Sequence, residues 1–458
     1  SWMYDVLIEW LAAGAPNDPP NTPKVVDLEI YPKQAVLEGS GVSQGLTVRA
    51  KYSDGTDRDV TRETVYISNN SASAKASPDG VITSGQGGES FVMARFDQIT
   101  TGVQILTIPN LPDYRFPDEP EANYIDTHVY NKLRKVRIKP SGLCDDNTFI
   151  RRIYLDIIGK LPEAEVVEKF AADKDSTKRS RLVDELLNRP EFVKMWVMKW
   201  AELLQIRTDN NRFQYKNAIL YFEWLRAQFE KNRPINVIVQ DLLGAKGGTF
   251  SNPAGNFYQI QSDQKKLMEN ATQIFMGMRM QCAQCHNHPF DRWTTDDYYA
   301  FANFFSQIGR KGSEDNREQI IYNRGSGEVR HIVGNKIMPP KFLGGEVPDV
   351  KGKDRREVLA KWLASDDNPY FAKNIANMVW AHFMGLGIVE PVDDVRVSNP
   401  PSNPELLEEL GKRLSKSGYD FKQLVRDICN SRTYQRTVQS NESNKADSAN
   451  FAKASIRR

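Results

Sequence analysis

The sequence predicts a multidomain protein, with an N-terminal antiparallel β-sandwich followed by a large, mainly α-helical body. Three observations carry this. At 458 residues the chain exceeds what one ordinary hydrophobic core serves, so two to four domains are expected. Residues 24–108 alternate apolar and polar positions in short runs cut by Gly, Asp, Asn and Pro, the pattern of short strands joined by turns. From residue 122 onward apolar positions recur at i, i+3 and i+4, the helical period.

Composition removes several function classes. Charged residues make up 26% and apolar ones 40%, which fits a soluble globular protein rather than a disordered chain. The net charge is +2 with both signs interspersed, so no electrostatic case for nucleic-acid binding exists. No apolar run approaches the roughly 20 residues needed to cross a bilayer, so no transmembrane segment is expected. No Ser-His-Asp order, P-loop or dinucleotide fingerprint is present.

The elements follow in chain order. Residues 1–20, SWMYDVLIEWLAAGAPNDPP, read as one amphipathic helix with Trp2, Met3, Val6, Leu7, Trp10 and Leu11 on a stripe, stopped by Gly14 and Pro16. A lone helix with such a stripe needs a partner surface, and it is expected to be the last helix of a preceding domain. In the strand region, Leu46, Val48 and Ala50 form one alternating set, and Phe91, Met93 and Ala94 to Phe96 another. Residues 109–121 are a Pro- and acid-rich linker. Residues 122–310 form a helical domain, in which Trp196 and Trp200 lie one turn apart on a single face and Thr294 to Asp297 open a helix as a capping box. Residues 311–354, rich in Gly, Pro and charge, read as irregular loop. Residues 355–458 return to helix, with Asn403 as an N-cap and Pro404 in the first turn.

Chemistry concentrates at QCAQCHNHPFDRW, residues 281–293, which holds two of the four cysteines and two of the five histidines. Cys282, Cys285 and His286 spell C-x-x-C-H, the attachment site of c-type haem. Two thiols add across the vinyl groups of the macrocycle and the next residue supplies the proximal imidazole to iron. With so few Cys and His, chance would produce the pattern in roughly one of a few thousand shuffled chains. An apolar stripe of Leu267, Ala271, Ile274, Phe275 and Met278 leads into it. Zinc is the alternative, with His288 as fourth ligand to Cys282, Cys285 and His286, although four ligands within seven residues are cramped. A Cys282–Cys285 disulfide, or two inert thiols, are the remaining readings.

If haem is bound, the sixth iron position separates electron transfer from ligand binding. Met338, in the rigid-looking stretch KIMPPKFLGG, is the first candidate for the distal ligand and His331, in EVRHIVG, the second. Met276, Met278 and Met280 read as core filler, and His128 and His382 as packed helical histidines. Trp293, Tyr298 and Tyr299 either border the motif or pack the core. Asp393 and Asp394 form a possible calcium pair, Arg151, Arg152 and Asp156 a possible buried ion-pair network, and Cys144 and Cys429 a possible disulfide.

Two stretches carry a resemblance. YSDGTDRDVT followed by SPDGVITSGQGGESFVMARF resembles a bacterial immunoglobulin-like domain of group 2, which implies an immunoglobulin-like sandwich serving as an extracytoplasmic spacer or adhesion unit. PSGLCDDNTFIRRIYLDIIGKLP, QIFMGMRMQCAQCHNHPFDRWTTDDYYAFANFF and the later DNPYFAKNIANMVWAHFMGLGIVEPVDDVRVSNPPSNPELLEELGKRL with SRTYQRT are similar to the planctomycete cytochrome-type domain and the unknown-function domain that usually follows it. Such proteins often begin with a separate haem-c domain, of which residues 1–20 resemble the closing helix. The resemblance implies an exported protein, periplasmic or at the cell surface, and supplies no reaction. The expected function is electron transfer by a c-type cytochrome, as relay of an envelope oxidoreductase. Its partners are redox proteins, including other haem domains of the same full-length chain or complex. A cell-envelope scaffold or glycan-binding protein with structural zinc is the alternative, and a haem enzyme with an open sixth position a third reading.

Overall fold

Short alternating runs joined by turn residues close on one another as hairpins, and ten strands form between Val25 and Ile108: β1 (Val25–Tyr31), β2 (Gln34–Glu38), β3 (Ser43–Gly45), β4 (Thr47–Tyr52), β5 (Asp57–Asp59), β6 (Val65–Ser68), β7 (Ala74–Ala76), β8 (Val81–Ser84), β9 (Gly88–Phe96) and β10 (Ile99–Ile108). The computed structural model describes residues 2–208 and 213–455, which divide into one unit up to Thr107 and another from Ile108. The strands make three sheets in the orders β1-β4-β5, β2-β10-β9-β6 and β3-β8-β7. Inward side chains of all three, among them Ile30, Val48, Ile82, Val92 and Val103, gather in one apolar cluster.

Turn chemistry is local. In YSDGT, Gly55 takes φ +83°, and Asp54 Oδ1 accepts from the Thr56 N–H (3.0 Å) and hydroxyl (2.7 Å), closing β4 onto β5. Leu46, Val48 and Ala50 point inward as expected. On β9 the expected set holds in part: Ala94 joins the cluster and Phe96 packs against it, but Val92 takes the place expected for Phe91 and Met93. Apolar residues at both parities hid the register there. The helix Trp2–Ala12 forms as expected and stops at Gly14, φ +87°, with the Trp10 indole donating to the Pro16 carbonyl at 3.1 Å. Its Met3, Val6, Leu7, Trp10 and Leu11 are exposed.

The second unit is helical. Successive helices run Tyr124–Lys135, Asp146–Ile158, Ala164–Ala172, Lys178–Leu187, Pro190–Leu203, Tyr215–Glu230, Ile235–Leu243, Asn256–Ile260, Gln264–Met276 and Thr295–Ala302, then Arg355–Leu363, Phe371–Met384, Pro404–Lys416 and Phe421–Asn430. Caps match the sequence signals: Thr294 and Asp297 make a reciprocal capping box, and the Asn403 side chain accepts from Leu406 N–H at 3.1 Å with Pro404 behind it. No helix among the described residues is long and apolar enough to cross a membrane.

The two helical stretches expected as separate domains share one core. SRTYQRT, residues 431–437, is the joint. Asp126 is fully buried and accepts from Arg432 N–H (3.0 Å), Thr433 N–H (2.8 Å) and the Thr433 hydroxyl (2.7 Å). Arg152 donates to the carbonyls of Tyr434 and Arg436 at 2.7 and 2.9 Å, and Tyr434 Oη donates to Asp156 at 2.8 Å. The expected Arg151–Arg152–Asp156 network is thus corrected: Arg152 holds backbone carbonyls and Arg151 is exposed. Arg436, 1% exposed, donates to the Ser141 carbonyl and to Tyr130 Oη, and pairs with Glu119. Burial of that charge is tolerable because each direction of its fork meets an acceptor.

Residues 311–354 are not wholly irregular. A hairpin of β12 (Ile308–Gly312) and β13 (Gln319–Asn323) pairs Ile308 with Asn323 and takes β11 (Gly247–Gly248) as a third strand. The loop that follows is clamped to the body. Arg355 forks onto Glu328 at 2.7 and 2.9 Å, while Asn303 donates to Glu328 and to the Met338 carbonyl, both at 2.6 Å, and accepts from Val329 N–H at 2.9 Å.

Candidate functional site

The C-x-x-C-H stretch owes its position to a helix end. Asp263 caps the helix Gln264–Met276 by accepting from the Lys265 and Lys266 N–H groups, and Gly277 ends it at φ +69°. A Cβ at Gly277 would stand 2.5 Å from Asn374 Oδ1, so both dihedral and space call for glycine. The helix therefore does not run into Cys282 as the stripe suggested. Met278 and Met280 lie beyond it, buried at 2% and 0%, and with Met276 they are core filler as expected. The chain then makes one 3-10 turn, Gln281–Gln284, anchored by buried Ala283.

That turn presents its chemistry outward. Cys282 and Cys285 are free and exposed, and His286 is exposed beside them. His286 Nδ1 lies 2.7 Å from the Asn287 carbonyl, so a proton on Nδ1 leaves the Nε2 lone pair open. His288 is half-buried, its Nδ1 accepting from Phe290 N–H at 3.2 Å, and burial pushes its pKa below the ordinary imidazole value. Asp291 is buried and accepts from the Arg292 and Val397 N–H groups; burial raises its carboxyl. No group of three or more His, Cys, Asp or Glu side chains converges among the described residues.

Beside the turn opens a cavity of about 610 Å³, lined in part by Gln284, Tyr299, His331, Lys265 and Arg330. Tyr299 joins its two sides: the hydroxyl donates to the Gln284 carbonyl at 3.2 Å, and the ring packs on His331 with centroids 4.9 Å apart. His331 is 6% exposed; its Nδ1 lies 2.9 Å from Val333 N and 3.0 Å from Val333 O, and its Nε2 3.2 Å from Asp296. Met338 instead packs partly buried against the core and is absent from the cavity lining. The clamp of Asn303, Glu328 and Arg355 holds the loop with His331 on the cavity wall and Met338 against the core.

Other singled-out residues resolve into packing. Trp293 and Tyr298 are buried, Tyr298 donating to Glu269 at 2.7 Å, and only Tyr299 borders the motif. Asp393 is held by Arg279 at 2.5 Å and Gln273 at 2.6 Å, and Asp394 lies 3.2 Å from Arg396, so cations of the chain occupy the proposed calcium pair. Cys144 and Cys429 are buried and form no disulfide. His128 is half-buried, and His382 has its Nε2 2.7 Å from the Asp156 carbonyl and its ring edge-on to Trp196. The signals missed in the sequence were Asn303, Glu328 and Arg355, whose types carry no pattern until the fold joins them.

The donor set fits haem c in residue type and spacing: two free exposed thiols three residues apart and an exposed imidazole directly after them. No curated protein matches the chain. Residues 124–310 match the family model PSCyt2, protein of unknown function (DUF1549), and residues 355–458 match PSD1, protein of unknown function (DUF1553). The chain thus carries two domains of unknown function, and their matched spans meet in the shared core of its helical body.

Proposed function

We propose that this chain is an exported c-type cytochrome that transfers electrons, with haem joined to Cys282 and Cys285 and iron held by His286. The observation that carries the reading is the exposed 3-10 turn, which offers both thiols free and the imidazole beside them. Bound haem would supply a one-electron centre. The chain's own residues attach and orient it: Cys282 and Cys285 fix its edge, and Asn287 sets the tautomer of His286. The exposure of Cys282, Cys285 and His286 supports this reading, since a haem edge held there would be open to a redox partner. Within this reading the N-terminal unit is an immunoglobulin-like sandwich, a spacer that holds the helical body away from the envelope.

The test is a reduced-minus-oxidised absorption spectrum of protein made in a host with haem-c maturation, taken after acid-acetone extraction. A c-type spectrum that survives extraction, and is lost in Cys282→Ser and Cys285→Ser, supports the proposal. Colourless protein refutes it. The separate strand-rich unit would then favour the scaffold or glycan-binding reading, and elemental analysis would decide whether zinc accompanies it.

A further inference from the structure

We propose that the cavity beside the C-x-x-C-H turn binds a small dicarboxylic acid, with Lys265 and Arg330 each receiving one carboxylate. The inference goes beyond the haem reading and does not rest on it.

The cavity has the size and the chemistry of a site for a polar small molecule. Its volume of about 610 Å³ lies in the range of about 300–1,000 Å³ that such sites occupy, and its wall is mostly polar. Two separate segments each supply a cation. Lys265 comes from the first turn of the helix Gln264–Met276, and Arg330 from the loop that follows the β12–β13 hairpin. Neither makes an ion pair among the described residues.

The carboxylates that could neutralise them are engaged elsewhere. Asp263, the one carboxylate on the wall, accepts from the Lys265 and Lys266 N–H groups at 3.0 and 2.9 Å, so the helix N-terminus meets its charge. Glu328 is held by Arg355 at 2.7 and 2.9 Å and by Asn303 at 2.6 Å. Asp296 lies 3.3 Å from Lys336 and 3.2 Å from His331 Nε2. The buried polar groups of the wall are likewise occupied: the Tyr299 hydroxyl donates to the Gln284 carbonyl at 3.2 Å, and His331 Nδ1 accepts from the Val333 N–H at 2.9 Å.

What the wall leaves for a ligand is the Lys265 ammonium and most of the Arg330 fork, of which only Nη1 is taken, by the Asn335 carbonyl at 2.9 Å. Such donors select oxyanions, and a guanidinium fork matches a planar carboxylate. Cations on two different segments suit two carboxylates joined by a short chain rather than one compact anion such as phosphate. Val329 and Ile332, on the same wall, give the connecting methylenes an apolar contact.

The test is titration calorimetry of the full chain, with and without haem maturation, against oxalate, malonate, succinate and glutarate, with butyrate and phosphate as controls. At least one diacid is expected to bind one-to-one, about tenfold tighter than either control, and more weakly as salt is raised. Lys265→Gln and Arg330→Gln should each weaken that binding by about tenfold and leave the thermal midpoint of the unliganded protein unchanged. No binding of any diacid, binding unchanged in the double variant, or phosphate or butyrate bound as tightly overturns the inference. Absence of covalent haem overturns only the reading above, since diacid binding is measured in both forms of the protein.

Discussion

Replacing Asp126 by Ala tests whether SRTYQRT joins the two helical stretches into one body. The carboxylate receives Arg432 N–H, Thr433 N–H and the Thr433 hydroxyl, with Asp126 and Thr433 at 0% and 1% exposure. A fourth donor, Ala122 N–H at 2.9 Å, sits on an exposed residue and can turn to water. The substitution therefore strands about three donors, two of them without solvent. At about 1–3 kcal/mol for each buried donor left without an acceptor, the loss comes to about 3–5 kcal/mol. Asp126→Asn keeps one acceptor oxygen and should lose about half of that. Urea unfolding followed by tryptophan fluorescence reads the helical body, since six of the eight tryptophans lie there, at 196, 200, 224, 293, 362 and 380. With a urea m-value of about 3–4 kcal/mol/M, the midpoint in Asp126→Ala falls by about 1 M. An unchanged midpoint would refute the claim that this carboxylate holds the C-terminal stretch in place.

Gly277→Ala should destabilise the body by about 2–3 kcal/mol, read in the same titration, because φ +69° and a Cβ 2.5 Å from Asn374 Oδ1 add strain to crowding. Asp427 has its carboxyl raised by burial, so its contribution is present below the ordinary carboxylate range and is lost as pH rises through the folded value. Accordingly Asp427→Asn should gain in thermal midpoint relative to wild type between pH 4 and 7, and the gain should vanish in more acid solution. Calcium or EDTA should leave the thermal midpoint unmoved, since Arg279 and Gln273 hold Asp393; a shift of several degrees that depends on Asp393 would count against that pairing.

Local chemistry was legible in the sequence. Asn403 with Pro404, Thr294 with Asp297, and Asp54-Gly55 each act within a few residues, and each behaves as its type dictates. The cysteine pair was legible for the same reason, being contiguous. The phase of β9 was not, because Phe91, Val92 and Met93 offer an apolar residue at both parities and only the opposing sheets decide between them. Nor was the environment of His331. Its place depends on Asn303, Glu328 and Arg355, brought together across up to 52 residues of chain. The role of Asp126 depends on a partner 307 residues away, which no periodicity can reveal.

That last separation sets an order of events during synthesis. The helix Tyr124–Lys135 leaves the ribosome early, with its buried carboxylate facing nothing, and its partner follows only when residues 432 and 433 emerge. Until then the growing polypeptide carries half a core uncovered, a state prone to aggregation. A protein built this way is hard to finish one piece at a time, so its maturation favours delivery of the whole chain before the final closure, and loss of even the last few dozen residues would unmake its beginning.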